Sequence, residues 1–245
     1  MQAAGAFFVS LLLFFIVLEI TLQVYTRLFI YYDVEMSRYA TELKQKSDEP
    51  LIGHEHIPNS EAFLMGVDVA INSDGLCDDE YPVTRNNMRR VAVLGDSLTF
   101  GWGVAKEDSF EAILERRLNA VRPTEVINFG HGNYNTVQQV SLFKQKGLKY
   151  APDTVVVFYF INDAEVTPVR SRWTPLARLR SVTFLWSRMR GLLAKSGATF
   201  ETFYASLYRD SQPGFVALKA AFIELRDLCE QQGIELQVIL LPELH

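Results

Sequence analysis

The chain opens on an apolar run. From Ala3 to Leu18 there is no charged residue, and Phe, Leu, Val and Ala dominate. Glu19 interrupts the run, and Ile20, Leu22, Val24, Leu28, Phe29 and Ile30 continue an apolar face to Tyr31 and Tyr32. About twenty apolar residues cross a bilayer core. Ala3 to about Val24 therefore predicts a transmembrane helix, with Tyr25, Arg27, Tyr31 and Tyr32 as interfacial anchors. A cleaved signal peptide is the rival reading. No Lys or Arg precedes the run and no small-x-small site follows it, which favours an uncleaved anchor. Glu19 reads as a residue near the membrane interface, with a helix partner as the alternative. Asp33 to Pro50 is polar and charged and predicts a helical stalk that Pro50 ends. Val67, Val69 and Ile71 alternate with Asp68, Ala70 and Asn72, a strand pattern, and Asn72-Ser73-Asp74-Gly75 reads as a turn.

The pattern then changes to strands buried on both faces, separated by amphipathic helices. Arg90 to Gly95, Thr124 to Gly130, Asp153 to Ile161 and Ile234 to Leu241 are the four predicted strands; the third is apolar almost throughout and so central. Between them fall predicted helices over Phe110 to Val121, Asn135 to Leu148 and Ser211 to Gly233. Asp108 or Ser109 caps the first. Pro213 sits near the start of the third and Gly233 at its stop. Strand and helix in alternation imply a parallel sheet with right-handed crossovers. The expected divisions are an anchor over 1–32, a stalk over 33–50, a small β-rich piece over 51–88 and an α/β domain over 89–245.

Composition narrows the function. A chain of 245 residues is one domain plus appendages. Net charge −5 argues against a general nucleic-acid binder. Cys77 and Cys229 lie far apart with no metal-like spacing; they read as a turn thiol and a buried helix thiol, a disulfide remaining open. His54 and His56 are two apart and share a face if extended. They read as loop or strand histidines, because the further ligands a metal would need are not identifiable. No cofactor is expected.

The candidate chemistry is in Val91 to Val104, VAVLGDSLTFGWGV. The strand breaks at Gly95, and Asp96, Ser97 and Thr99 follow. Gly101 and Gly103 permit tight turns. Ser97 thus falls at the carboxyl end of a strand, where open α/β sheets place their ligands. It is not a G-x-S-x-G elbow, because Thr99 stands two residues after the serine. Gly95-Asp96-Ser97-Leu98 resembles block I of the SGNH (GDSL) hydrolase superfamily. Asn128-Phe129-Gly130-His131-Gly132-Asn133-Tyr134-Asn135-Thr136 resembles its block II, with Asn133 where relatives carry a glycine before the tyrosine. Asn tolerates positive φ. Phe160-Ile161-Asn162-Asp163 resembles block III, with Phe160 in place of a glycine.

The resemblance implies a flavodoxin-like three-layer α/β/α sheet of strand order 2-1-3-4-5. It implies acyl transfer in which Ser97 attacks an ester carbonyl. The Ser97 N–H, the N–H of either Gly132 or Asn133, and the Asn162 side-chain amide would hold the oxyanion. The family's base is the histidine of a D-x-x-H motif after strand five. This sequence contains no D-x-x-H. Strand five and the last helix are also absent, so the domain reads as incomplete at its C-terminus. His245, preceded by Glu243 and Leu244, is not given the role. His131 is a weaker substitute, reaching toward Ser97 from the neighbouring loop.

Between Glu165 and Glu201 there is no acid. Arg170, Arg172, Arg178, Arg180, Arg188, Arg190 and Lys195 interleave with Trp173, Leu176, Leu179, Phe184, Leu185 and Trp186. The stretch reads either as a segment on anionic lipid or polysaccharide, or as a solvated helical face. The expectation is a membrane-anchored serine esterase hydrolysing an oxygen ester through an acyl-serine. O-acetyl transfer or acetyl removal on an envelope polysaccharide, and a catalytically silent anchored binding module, are the alternatives. The expected partners are the membrane and an ester-bearing substrate: a lipid, a small ester or an acylated glycan. Arg27, Arg38, Lys44 and Lys46 mildly favour a cytoplasmic C-terminal side; the resemblance points to the periplasm or exterior.

Overall fold

The computed structural model describes residues 2–85, 87–166, 179–193 and 199–242. Its centre is a four-stranded parallel sheet. The strands are β5 (Arg89–Leu94), β6 (Thr124–Asn128), β7 (Thr154–Tyr159) and β8 (Glu235–Leu240), in the order β6-β5-β7-β8. This is the start of the expected 2-1-3-4-5 order. Val91 pairs with Val126 on one side and Thr154 on the other, and Thr154 in turn pairs with Glu235.

Alternation along β5 explains the layers, because successive side chains point to opposite faces. Ala92 and Leu94 pack with Ile127, Val155 and Val157 under two helices, α5 (Thr136–Leu142) and α8 (Pro213–Gln232), the latter preceded in the chain by the short α7 (Phe200–Leu207). Val91 and Val93 pack with Val126 and Val156 under α4 (Phe110–Asn119), through Phe110, Leu114 and Leu118. The domain is therefore a three-layer α/β/α sandwich. Ser109 caps α4, its side chain accepting from Ala112 N. Pro213 opens α8 and Gly233, at φ +68, closes it. The helix expected to run to Leu148 is α-helical only to Leu142, and continues as a π turn over Phe143–Gly147. Cys77 and Cys229 are free thiols, Cys229 buried in α8.

The N-terminal part departs from expectation. Helix α1 (Gln2–Leu28) contains Gly5–Thr26, long and apolar enough to cross a membrane. The segment read as a stalk does not stand clear of the domain. It forms α2 (Tyr32–Arg38), a π turn Tyr39–Leu43 and the strand β1 (Lys44–Lys46), which pairs antiparallel with β2 (His54–His56). Tyr39 and Leu43 are buried with Leu64, Val69, Ile71 and Phe100. Val69 belongs to a second hairpin, β3 (Glu61–Leu64) with β4 (Val67–Ala70). Part of the charge that suggested a stalk is neutralised locally: Arg38 pairs with Glu35 and Glu42.

Glu19 has a partner on another helix, the alternative reading of that residue. The basic stretch contains a helix, α6 (Arg180–Leu193). The Glu19 carboxylate accepts from Arg180 N at 3.0 Å, Ser181 N at 2.9 Å and Ser181 Oγ at 2.7 Å. An acid at a helix N-terminus satisfies orphan N–H groups and complements the helix dipole. Arg180 in turn donates to Gln23 O at 2.7 Å. Residues Arg170, Arg172, Trp173, Leu176, Arg178 and Lys195 of the same stretch, and His245, lie outside the described residues.

Candidate active site

Block I folds as a strand end, a two-residue break and a short helix. After β5, Gly95 leads into α3 (Ser97–Phe100). Asp96 is the N-cap, its carboxylate accepting from Leu98 N at 2.9 Å. The chain turns so sharply that a Cβ at Gly95 would lie 1.9 Å from Thr99 Oγ1. Only glycine fits there. Ser97 is therefore the first residue of a helix at the carboxyl edge of the sheet, half-buried, with Leu98 exposed beside it. Gly101 ends α3 at φ +80, as the turn reading required.

Block III reaches block I directly. Ile161–Ala164 forms a 3-10 turn after β7. Asn162 Nδ2 donates to Asp96 Oδ2 at 3.0 Å, across 66 residues of sequence. The amide keeps a second hydrogen to offer, and its own Oδ1 is buried without a partner among the described residues. Asp163, behind it, accepts from Phe160 N at 3.0 Å and Gln139 Nε2 at 2.7 Å. Burial pushes its pKa up to about 8, with the nearby Asp96 carboxylate adding to the rise. Burial raises Asp96 as well.

Block II sits on the other side of β5, held by the His131 N–H donating to Gly95 O at 3.2 Å. Asn133 takes φ +65, the left-handed conformation that lets asparagine replace the glycine of relatives. The two oxyanion candidates are in different situations. Gly132 N donates to Tyr39 Oη at 3.1 Å. Its hydrogen is committed, which corrects the expectation that it is available to an oxyanion. Asn133 is exposed, and its N–H has no partner among the described residues.

Sequence reasoning missed the wall behind block II. His131 is stacked between His56, 3.8 Å away between ring centres, and Tyr134 at 3.9 Å, with His54 edge-on at 5.2 Å. His56 Nδ1 contacts Gly75 O at 3.0 Å and Nε2 contacts Tyr39 Oη at 2.7 Å. The Nδ1 proton must go to the carbonyl, so the tyrosine donates to Nε2. A relay results: Gly132 N–H to Tyr39, Tyr39 to His56, His56 to Gly75. Burial holds the pKa of His56 well below the usual histidine value, and the Lys44 ammonium lowers it further. Lys44 is itself buried, donates to Gly132 O at 2.5 Å and lies 4.1 Å over the Tyr39 ring. The signal was present in part: Tyr39 and Leu43 are apolar four residues apart inside an otherwise charged segment.

His131 makes a poor base. It is buried, and burial with the neighbouring His56 and Lys44 keeps its pKa well below the usual value. Its Nδ1 faces Gly132 O at 3.3 Å, and among the described residues its Nε2 has no partner and no hydrogen bond joins it to Ser97. Ser97 Oγ itself has no hydrogen-bond partner among the described residues. The described residues also hold no group of three or more His, Cys, Asp or Glu able to bind a metal. A cleft of about 430 Å³ opens beside Asn133 and Asn162, walled by Lys44, Ile52, His54, Tyr134, Val137 and Ala217.

The model of the GDSL-like lipase/acylhydrolase family matches residues 93–241. Among solved structures, the chain is similar to AlinE4, an SGNH-hydrolase family esterase, at 20% identity over 62% of this chain and 77% of that one, with a TM-score of 0.31. It is similar to the lipase/acylhydrolase from Enterococcus faecalis at 20% identity over 61% and 75%, TM-score 0.29. It is similar to the acetyl xylan esterase AlAXEase at 17% identity over 60% and 75%, TM-score 0.28. No curated protein matches.

Proposed function

Because the chain belongs to the GDSL-like lipase/acylhydrolase family and so to the SGNH-type hydrolases that act on ester bonds, we propose that it is a membrane-anchored serine esterase that cleaves an oxygen ester through an acyl-Ser97 intermediate. Ser97 Oγ attacks the carbonyl carbon. The oxygen that becomes negative is held by the Ser97 N–H, the Asn133 N–H and the second amide hydrogen of Asn162. The alcohol leaves, and water releases the acid from Ser97. The observation that carries the reading is the Asn162 to Asp96 hydrogen bond, which ties the block III amide to the residue next to Ser97. Donors fixed in advance stabilise developing charge without reorganisation. The apolar wall of Ile52, Val137 and Ala217 in the adjacent cleft suits the acyl chain or another apolar part of the ester.

Serine needs a base, and none of the described histidines meets Ser97. That favours one competing reading, an anchored module that binds esters without cleaving them. The two are separated by incubating the protein with p-nitrophenyl butyrate and measuring its intact mass. The esterase reading expects one butyryl group on the Ser97 peptide, absent from Ser97→Ala and formed about 100- to 1000-fold more slowly in Asn162→Ala. No acyl-serine at any pH, with the ester still bound, would establish the silent module. Anchoring is tested separately: the protein should stay with membranes through a high-pH carbonate wash, and release by that wash would contradict it.

A further inference from the structure

Helix α6 is amphipathic the wrong way round for a helix covering a soluble domain. Its polar side faces the protein: Ser181 bonds Glu19, Thr183 Oγ1 donates to Ser37 Oγ at 3.1 Å, and Ser187 Oγ lies 3.2 Å from Tyr31 Oη. Its apolar side faces away. Val182, Leu185, Trp186 and Met189 are 39%, 48%, 59% and 48% exposed. They fall at i, i+3, i+4 and i+7, one continuous stripe.

We propose that this stripe of α6 lies in the interface of the same bilayer that α1 crosses, on a leaflet containing anionic phospholipid. The inference rests on the anchor reading of α1. Three observations select a bilayer as the occupant. First, α6 is fastened to α1 itself: Glu19, Gln23 and Thr26, all within the Gly5–Thr26 span, bond the first turn of α6. The start of α6 is thus at the depth of the polar end of that span. Second, a polar cleft of about 350 Å³ lies where α1, α2 and α6 meet, lined among others by Gln23, Ser37, Arg38, Glu42, Arg180 and Thr183. Glu42 is paired with Arg38, and the hydroxyl, amide and guanidinium groups at that level are suited to the polar headgroup layer. Third, the charge is complementary. The stretch between Glu165 and Glu201 contains seven basic residues and no acid, and Arg188 and Arg190 are exposed on α6 beside the stripe. Basic groups flanking an apolar stripe with tryptophan mark a helix lying in an interface. The consequence is a second fixed point: α1 and α6 together set the tilt of the domain, where α1 alone would leave it free to swing.

The test uses the full chain in nanodiscs, in a Trp102→Phe/Trp173→Phe background that leaves Trp186 as the sole tryptophan. In discs of phosphatidylcholine and phosphatidylglycerol, lipids brominated on the acyl chain should quench Trp186 emission by at least half, and aqueous acrylamide should quench it weakly. Energy transfer from Trp186 should be at least twofold greater to dansyl-labelled phosphatidylglycerol than to dansyl-labelled phosphatidylcholine. Arg188→Gln/Arg190→Gln should abolish that preference while bromolipid quenching persists. Trp186 quenched by acrylamide and not by bromolipid would overturn the proposal. So would Trp186 shielded from both, which would mean a second copy covers the stripe. Equal transfer to both lipids would overturn the anionic preference. Carbonate release would instead refute the anchor, so failure of α6 and failure of α1 are told apart.

Discussion

Replacing Gly132 with alanine should destabilise the protein well beyond the effect of a loop substitution. A Cβ at Gly132 would lie 2.7 Å from Tyr39 Cε1, 3.0 Å from Oη and 3.2 Å from Cζ. Carbon atoms pack at about 3.5–4.0 Å, so something must move. Tyr39 is 1% exposed. It is held by Gly132 N and His56 Nε2 and packed on Phe100 and Trp102 at 5.0 and 5.1 Å between ring centres. Forcing an extra methyl into such a site costs about 1–3 kcal/mol. Displacing the Tyr39 hydroxyl breaks both of its hydrogen bonds, at about 1 kcal/mol each. The expected loss is about 3–5 kcal/mol, against a total of roughly 5–15 kcal/mol for a domain. Urea unfolding of the full chain in mild detergent, followed by circular dichroism, measures it. Tyr39→Phe, which breaks the bonds without a clash, should lose about 1–3 kcal/mol. Tyr39→Leu should recover part of the Gly132→Ala loss, a coupling that separates clash from general disruption. A loss under about 0.5 kcal/mol for Gly132→Ala would refute the packing argument and, with it, the assignment of the Gly132 N–H to Tyr39.

Two further outcomes are expected. Asp163 has a folded pKa of about 8 against roughly 3.9 in an unfolded chain. Its contribution to stability is therefore fully present below about pH 4 and is lost as pH rises toward and through 8. Asp163→Asn should remove that part of the slope, so the variant gains on the parent between pH 5 and 9; parallel stability curves would contradict the buried neutral carboxyl. Glu19→Ala removes three hydrogen bonds from the first turn of α6, and losing a helix cap costs about 0.5–2 kcal/mol. Backbone amide exchange at the start of α6 should speed up about threefold or more in detergent micelles, and unchanged exchange would refute the capping role.

The sheet was legible because its strands leave apolar runs, and all four runs became strands; β5, β6 and β7 are largely buried, while β8 lies at the exposed edge. Ser109, Pro213 and Gly233 marked helix ends because each answers a local backbone need. The conformation of Asn133 was legible for the same reason, since few residues other than glycine take positive φ. What escaped was non-local. Tyr39, Lys44 and His56 have meaning only once the N-terminal segment folds back onto block II. The polar surroundings of Tyr39 and Lys44, read along the chain, resemble a solvated stalk, and His56 reads as a loop or strand histidine. Lys44 can be buried because Gly132 O, a carbonyl 88 residues away, accepts a hydrogen bond from its ammonium. Glu19 was legible only as an alternative, a helix partner, because two of its donors, the N–H groups of Arg180 and Ser181, belong to the backbone and leave no mark in composition.

The account turns on Ser97 as the nucleophile, and fluorophosphonate labelling tests that most directly. The full chain in detergent, treated with the probe from pH 6 to 10 and digested for mass spectrometry, should carry the phosphonate on the peptide containing Ser97. The rate should be slow near neutral pH and rise with pH, because no described histidine is positioned to take the proton. Ser97→Ala should carry none. Labelling that survives in Ser97→Ala, or that maps to another residue in the parent, would contradict the account.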